Sequence, residues 1–382
     1  MKVFKKPIIA VAGSSGKTTT KEMIASILRT RWKVYKSKYN QNNRSATRRH
    51  VKRIRPYHRA AVLEFGMSRS GHLRQQCRII QPNMAVITMI GSAHIGNVGS
   101  SLSRLIKAKA QLAQNMKRTG TLFLNADDQN SRRMKLAPFR GVVKTVSIKG
   151  HGNYTAHDIR YVKGGMTFVA CIKGVEHSFF IPVYGVHNVY NALFAIAVAD
   201  RLGFGAEEIK RGLQRYSKPS RRLAVYRSRN GVRIIDDTYN ANPHSVKAAI
   251  DVLSHLPGRP KILVLGKMSE LGRYSRQGHQ EVGEYLADKD IDHLFTYSKP
   301  ASVIKTSAIR SGFPSQKAYH AQSRPLLHRR IRTLIRPGAI ILVKGSNDAR
   351  MNRTVRYLRK HKIQGIQGIQ GDGSLVSRQK AW

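Results

Sequence analysis

The sequence predicts an α/β protein with two domains: a phosphate-binding-loop (P-loop) domain with a mostly parallel sheet, then a second doubly wound, Rossmann-like domain. Short apolar runs alternate with helix-patterned stretches through the first half of the chain. A loop rich in glycine and threonine directly follows the first apolar run. A second alternation begins after a polar, proline-containing stretch at 216–220, which we interpret as the domain hinge.

The domains are expected at residues 1–216 and 221–360, and the Ile-Gln-Gly repeats favour a disordered tail at 361–382. Antiparallel hairpins are expected within 153–184, before a helix from His187 to Leu202, because β-branched and aromatic residues alternate there around glycines. Strands are predicted at 8–12, 61–65, 85–89, 121–124, 142–146, 232–235, 262–265, 293–296 and 339–343, and helices of the second domain at 243–254, 276–287 and 325–335.

Composition limits the partners and the compartment. The 382 residues include 69 Lys and Arg but only 20 Asp and Glu, a formal charge of +49, which indicates an anionic partner or working surface. The cations are spread along the chain without a nucleic-acid-binding motif, so nucleic acid is not expected as the main partner. Two distant cysteines, no long apolar stretch and no signal-like N-terminus predict a cytoplasmic protein without a membrane span.

Residues 12–20 read Ala-Gly-Ser-Ser-Gly-Lys-Thr-Thr-Thr, between an apolar strand and a helical stretch. Glycines let backbone N–H groups face an anion, Lys17 reaches the outer phosphates, and the Thr18 hydroxyl is a Mg²⁺ ligand in such loops. The loop is shorter than the usual P-loop, and a structural turn with a chance lysine is the alternative. The predicted nucleotide-binding residues here are Gly13, Ser14, Ser15, Gly16, Lys17, Thr18 and Thr19.

Acidic residues are so rare that each is informative. Before Asp127 the only carboxylates are Glu22 and Glu64, and Glu64 ends an apolar run. An acid at the tip of a parallel strand has the position of a metal or water ligand, although an incidental strand-end acid is the alternative. His94 is expected at the tip of the third strand, where the plainer interpretation is a structural histidine. Lys109 is expected on the apolar face of a helix, where the plainer interpretation is a surface lysine.

Several longer motifs resemble the Mur ligase family, over roughly residues 7–355. The most specific is Asp-Asp-Thr-Tyr-Asn-Ala-Asn-Pro at 236–243, expected on the loop after the first strand of the second domain. Val-Leu-Gly-Lys-Met-Ser-Glu-Leu-Gly at 264–272 and Val-Lys-Gly-Ser at 343–346 are similar to other segments of the family, as are His-Asn-Val-Tyr-Asn-Ala at 187–192 and Asn-Gln-Asn-Asn at 40–43.

The resemblance implies ATP-dependent amide synthesis, in which a carboxylate becomes an acyl phosphate and an amine then displaces phosphate. It implies catalytic roles for Lys17, His94, Lys109 and Lys344, and Mg²⁺ held by Thr18, Glu64, His94 and a carbamylated Lys109. Further contacts to ATP are implied for Asn188, Asn191, Arg222, Asp236 and Asp237. Substrate contacts are implied for Asn42, Asn43, Tyr239, Asn240, Asn242 and Ser346.

The substrates stay open. The cell-wall enzymes of the family carry a UDP-binding domain before the P-loop, whereas here the loop begins at residue 13. One reading is a ligase that joins another carboxylate acceptor to an amino acid or D-alanyl-D-alanine. A second keeps the UDP-linked muramoyl peptide as acceptor, with the nucleotide-sugar recognised elsewhere. A third is a non-catalytic relative that binds ATP or a polyanion. The basic segment 44–59 is the expected contact for an anionic polymer or surface.

Overall fold

The computed structural model describes residues 6–360. Its first part contains nine strands and seven helices: β1 Ile8–Ala12, α1 Lys17–Leu28, β2 Val34–Lys36, α2 Arg44–Arg53, β3 Ala60–Glu64, α3 His72–Ile79, β4 Met84–Ile87, α4 Leu102–Asn115, β5 Thr121–Asn125, α5 Gln129–Arg132, β6 Val142–Ser147, β7 Tyr154–Val162, β8 Gly165–Ile172, β9 Val175–Ile181, α6 Val186–Arg201 and α7 Ala206–Gln214.

These strands form one nine-stranded sheet in the order β2-β3-β1-β4-β5-β6-β7-β8-β9. Strands β1 to β6 pair in parallel, and β7, β8 and β9 form antiparallel hairpins at the other end of the sheet. All five residues of β1 and of β3 are buried, as expected for central parallel strands covered on both faces. The loops after β1, β3 and β4 therefore meet at one sheet edge, where open α/β folds bind ligands.

The second part of the chain contains six strands and five helices: β10 Ala224–Arg227, β11 Arg233–Asp237, α8 Pro243–His255, β12 Lys261–Gly266, α9 Ser275–Leu286, β13 His293–Tyr297, α10 Ser302–Arg310, β14 Ala318–Ala321, α11 Arg324–Leu334, β15 Ile340–Lys344 and α12 Asn352–Lys360. The strand order is β10-β11-β15-β12-β13-β14, and only β10 runs antiparallel to its neighbour. The core of this sheet is aliphatic and includes Ile262, Val264, Ile341 and Val343.

Contacts between residues divide the chain into two compact units. The first consists of the chain up to Ser220 with 242–252 and 268–278, and the second of 221–241, 253–267 and the chain from His279 onward. The predicted tail at 361–382 lies outside the described residues. Within residues 6–360, no helix is both long enough and apolar enough to cross a membrane.

The mixed α/β fold class is confirmed, and each predicted strand corresponds to a strand within two residues at either end. Two placements were wrong. The first strand of the second sheet is β10, so Asp236 and Asp237 are the last residues of the second strand, β11, and not part of the loop after it. His94 lies seven residues beyond the end of β4, so it is not at a strand tip.

Candidate active site

The P-loop backbone requires glycine at two positions. Gly13 has a φ of 142° and Gly16 a φ of 83°, both in the region that L side chains rarely adopt. A Cβ on Gly13 would lie 2.0 Å from the Thr88 hydroxyl oxygen, and one on Gly16 would lie 2.4 Å from the Asn191 side-chain oxygen. Neither position tolerates a side chain, because a neighbouring residue already occupies the space.

Residues of the β4 loop hold the P-loop in this shape. The Ser14 backbone N–H donates to the carbonyl of Met89 (2.8 Å), and its hydroxyl donates to the carbonyl of Gly91 (2.8 Å). Thr88 donates to the carbonyl of Ser15 (2.5 Å). Both the backbone and the side chain of Ser14 thus anchor the P-loop to the chain after β4.

Lys17 opens α1 and curls back over the loop, where its Nζ donates to the carbonyl of Gly13 (3.0 Å). The first turn of α1 contains no acidic residue, and buried Thr19 follows in the same turn. A helix N-terminus, a lysine and a glycine loop together form an anion-binding site of the kind that takes nucleotide phosphates.

Glu64 is the centre of a buried polar cluster next to the P-loop. It is 2% exposed at the end of β3. Its Oε2 accepts a hydrogen bond from the Thr18 hydroxyl (2.8 Å), and its Oε1 accepts one from the Asn42 amide (2.8 Å). The Thr18–Glu64 pair presents the hard oxygen donors that Mg²⁺ prefers.

The segment that carries Asn42 is fixed by a fully buried lysine. Lys21 of α1 donates to the carbonyls of Ser37 and Tyr39, both at 2.8 Å. The Ser37 hydroxyl in turn accepts from the backbone N–H of Glu64 (2.9 Å). Sequence reasoning missed Lys21 and Ser37, since nothing in the order of residues shows that the α1 lysine reaches the chain after β2.

Lys109 is buried in α4, so the surface-lysine interpretation was wrong. It is 1% exposed, on a helix whose N-terminus is capped by Ser101. Burial and, to a lesser extent, the nearby charge of Lys17 lower the pKa of Lys109 to about 7, although the charge of Asp128 opposes the shift. A large fraction of this amine is therefore uncharged near neutral pH.

Asp128 is a second residue that sequence reasoning missed. Its Oδ2 accepts from the backbone N–H of Ile90 (2.7 Å), and the Asn130 amide donates to the carbonyl of Ile90 (2.7 Å). The pair fixes the β4 loop that supports Ser14. The scarcity of acids was the available signal, because Asp127 and Asp128 are the first carboxylates after Glu64.

His94 follows this loop and precedes a 3₁₀ turn at Ile95–Val98. Its φ of 65° is in the left-handed region, which is uncommon for a residue with a Cβ and is often found at functional sites. Within residues 6–360, no group of three or more His, Cys, Asp and Glu side chains is placed to hold a metal ion. A metal at this edge therefore depends on Thr18, on Glu64 and on groups supplied by modification or by substrate.

Asn188 and Asn191 of α6 belong to a chain of hydrogen bonds that ends at the P-loop helix. Asn188 donates to the carbonyl of Tyr184 (2.7 Å), and its Oδ1 accepts from Asn191 (2.9 Å). The Asn191 Oδ1 accepts from the Thr20 hydroxyl (3.0 Å). Both amides are buried and fix α6 against α1, so their contact with adenine stays a prediction.

The second unit has its own polar cluster at the ends of β11 and β15. Lys344 is 2% exposed, pairs with Asp237 and donates to the carbonyl of Asn240 (2.9 Å). The Arg222 guanidinium lies 4.2 Å from the centroid of the Tyr239 ring. Predicted site residues from three separate stretches of the chain, at 222, 237–240 and 344, therefore contact one another in pairs.

Four more predicted residues make hydrogen bonds to other groups of the protein. Burial raises the pKa of Asp236, whose Oδ1 accepts from the Thr238 N–H (3.0 Å). Asn43 and Asn242 cap helices, since their Oδ1 atoms accept from the backbone N–H groups three residues later, in α2 (2.9 Å) and α8 (3.0 Å). The Ser346 hydroxyl donates to the carbonyl of Ala241 (3.3 Å).

Comparisons with known proteins agree with this arrangement. Residues 11–199 match the Mur ligase middle domain, and residues 221–347 match the domain described as the Mur ligase, glutamate ligase domain. The UDP-N-acetylmuramoyl-tripeptide--D-alanyl-D-alanine ligase of Bacillus subtilis is 34% identical over 355 residues, 92% of this chain and 75% of that protein. The enzyme of the same name from Escherichia coli is 30% identical over 357 residues, 93% of this chain and 77% of that protein.

Solved structures give the same result. MurF from Acinetobacter baumannii superposes with a TM-score of 0.84 at 30% identity, covering 92% of this chain and 76% of that one. MurF from Thermotoga maritima, solved in complex with ADP, gives a TM-score of 0.80 at 25% identity, covering 92% of this chain and 79% of that one. The chain therefore belongs to the Mur ligase family and is an ATP-dependent, amide-forming ligase.

Proposed function

We propose that this ligase joins D-alanyl-D-alanine to the terminal carboxylate of a UDP-linked muramoyl tripeptide, in the cytoplasm, as a step of cell-wall synthesis. The observation that carries the chemical part of the proposal is the cluster of Lys17, Thr18, Glu64 and buried Lys109 at one sheet edge. The choice of substrates rests on the relatives, because the two described above carry this activity in their names.

In the first step, an oxygen of the acceptor carboxylate attacks the γ-phosphorus of ATP, the bond to the bridging oxygen breaks, and ADP leaves. The product is an acyl phosphate. Two anions must approach each other in this step, so fixed positive charge is needed where charge develops. Lys17 and the N-terminus of α1 are suited to this role by their position on the P-loop.

Mg²⁺ fits the oxygen donors of Thr18 and Glu64 and would neutralise phosphate charge when bound. We assign a further metal-binding role to His94 and to Lys109 as its carbamate. The carbamate forms when the uncharged Lys109 Nζ attacks the carbon of CO₂ and releases a proton. The lowered pKa of Lys109 supports this assignment, because only the uncharged amine has the lone pair that the reaction needs.

In the second step, the amine of D-alanyl-D-alanine attacks the acyl carbon, and phosphate leaves from a tetrahedral intermediate. We assign Lys344, Asn240 and Ser346 to the amine substrate or the departing phosphate, and Asn42 and Asn43 to the acceptor. Arg222, Tyr239, Asp236 and Asp237 are assigned to ATP or substrate. The clustering of Lys344, Asp237 and Asn240 in the second unit supports a shared role.

The test is ADP release measured with the UDP-linked tripeptide and D-alanyl-D-alanine, with mass spectrometry of the product. We expect ADP and a product lighter than the sum of its two substrates by one water, in equal amounts. Parallel reactions replace the acceptor by other carboxylates, and the dipeptide by single amino acids. Efficient ligation of another pair, without turnover of the named pair, would overturn the choice of substrates and leave the ligase chemistry in place.

A further inference from the structure

The first 126 residues of the sequence contain only two acidic residues, Glu22 and Glu64, and neither is well exposed. Glu64 is 2% exposed, and the side chain of Glu22 is 13% exposed and paired with Lys21 and Lys36. The same stretch contains 25 lysines and arginines. Ligation of a small acid does not require this excess, and the active site described above uses only Lys17, Lys21 and Lys109 among these cations.

Helix α2 concentrates the excess on one face. Ala46, Thr47 and His50 are buried, while its exposed residues include five cations, Arg44, Arg48, Arg49, Lys52 and Arg53. Successive cations lie four residues apart, at 44, 48 and 52 and at 49 and 53, so like charges are neighbours on the helix surface. Arg44 also opposes the helix dipole at the N-terminus. The repulsion between these charges destabilises the isolated helix, and a bound polyanion would reduce that repulsion.

Nearby cations lower the pKa values of two histidines in and after α2. Burial lowers the pKa of His50, and the nearby charges of Arg53, Lys21 and Arg49 lower it further. Burial likewise lowers the pKa of His58, with further lowering by cations that include Lys6 and Arg55. The charges that contribute most to both shifts are cations, so the two rings lie in a positively charged part of the surface around α2.

The chain after α2 leads to a cleft that combines aromatic rings with cations. Its volume is about 530 Å³, and its lining is Lys6, Pro7, Trp32, Pro56, Tyr57 and Arg59. Tyr57 is 61% exposed, and Lys33 Nζ lies 5.8 Å from its ring centroid. Trp32 is held edge-on to Phe204, with ring centroids 4.9 Å apart. A cavity of this size accommodates a nucleotide.

The cleft is separate from the active site. Its lining residues lie at the amino ends of β1, β2 and β3, whereas the P-loop and Glu64 lie at the carboxyl ends of β1 and β3. Helix α2 connects the two edges, because it begins after the Asn42 segment and ends before Pro56. Its ten residues span about 15 Å. A cationic track thus runs from one sheet edge to an aromatic cleft at the other.

From this geometry we propose that the track formed by α2 and the Trp32–Tyr57 cleft binds single-stranded nucleic acid. Phosphates lie along Arg48, Arg49, Lys52 and Arg53, and a base stacks on Tyr57 in the cleft. Stacking on an aromatic ring next to cations is the general way in which proteins bind unpaired strands without sequence preference. Sequence motifs did not indicate it, because Trp32 and Tyr57 are 25 positions apart and meet only through the pairing of β2 with β3.

An anionic membrane fits this surface less well. A membrane-surface helix needs an apolar face that enters the lipid. Within residues 6–126 the exposed large hydrophobic side chains are Tyr39 and Tyr57, and both are aromatic rings with a polar end. The outward residues of α2 are polar or cationic, so the surface offers charge and stacking without aliphatic side chains to insert.

The test is fluorescence anisotropy of labelled oligothymidine of 12 nucleotides with the full chain, titrated at several NaCl concentrations. An abasic oligonucleotide of equal length carries the same charge but no bases. We expect about tenfold tighter binding of the oligomer with bases, and affinity that falls steeply with salt. Equal affinity for the two oligonucleotides, or stronger binding of vesicles containing anionic lipid than of oligothymidine, would overturn the proposal.

Two variants separate the parts of the track. Tyr57→Ala is expected to remove the preference for bases and keep the salt dependence, while Tyr57→Phe keeps both. Replacing Arg48, Arg49, Lys52 and Arg53 with Gln is expected to lower the affinity for oligothymidine at least tenfold. The same variant should also show a weaker dependence of affinity on salt. The matched control replaces four other exposed cations of the same unit, Arg118, Arg133, Lys135 and Arg140, with Gln. If the control loses as much affinity as the α2 variant, binding is diffuse and the proposed track is wrong.

Discussion

Lys17 is the residue on which the first chemical step most depends. Its Nζ lies at the P-loop, 3.0 Å from the carbonyl of Gly13, in a position to meet the transferred phosphoryl group. We expect Lys17→Ala to lower kcat by at least 100-fold, since removing one fixed charge at the reacting centre costs about 3–4 kcal/mol. ADP release under saturating substrates measures the effect. Activity near that of the unmodified enzyme would exclude Lys17 from the mechanism.

Lys109 gives a pH-dependent prediction. Its pKa of about 7 means that the uncharged amine increases as the pH rises through neutrality. If the carbamate forms, activity at limiting bicarbonate should increase between pH 6 and pH 8, and added bicarbonate should reduce this dependence. A pH profile measured at several bicarbonate concentrations tests this.

The variant Lys109→Ala provides the control. It should be poorly active at every pH and partly rescued by formate or acetate, which restore a carboxylate in the vacated space. Full activity without rescue would mean that the buried amine has no role at the metal.

At the scale of elements, the segment between β2 and α2 connects α1 to the Glu64 cluster. Lys21 holds the carbonyls of Ser37 and Tyr39, and Asn42 in the same segment donates to Glu64. We expect Lys21→Met to lower kcat about tenfold and to raise the Mg²⁺ concentration needed for half-maximal activity. The reason is that Asn42 and Glu64 are then no longer held in place, although no metal ligand is removed. Lys36→Met is the matched control, since the Lys36 ammonium pairs with the Glu22 carboxylate. Equal effects of the two variants would contradict the prediction.

The elements also show how far sequence reasoning reaches. Long apolar runs such as β1 and β12 were predicted because a buried parallel strand has a strong hydrophobic signal. β2 was missed, since Val-Tyr-Lys is three residues long and its partners are remote in sequence. β10 was missed for a related reason: it is a four-residue edge strand in which three residues are half-buried and the last is exposed, so it has no run of buried apolar residues. Residue motifs predicted Thr18, Glu64 and Lys109, but only pairing between strands brings Asn42 and Lys21 to the same cluster.

For the whole molecule, the charge of +49 predicts stability that depends on salt. Repulsion between like charges opposes the compact state and is screened over about 8–10 Å at physiological ionic strength. We expect Tm to rise by several degrees between 20 and 300 mM NaCl, measured by calorimetry or circular dichroism. A Tm that is constant or falls over this range would mean that repulsion is already balanced in the folded chain.

The central claim is that the enzyme activates a carboxylate by phosphorylation before it forms the amide. An acceptor in which both oxygens of the reacting carboxylate are ¹⁸O tests this directly. Attack of that carboxylate on ATP, followed by cleavage of the acyl carbon–oxygen bond, transfers one labelled oxygen to phosphate. We predict one ¹⁸O in each phosphate released and one in each amide product. Unlabelled phosphate formed together with the amide product would contradict the mechanism.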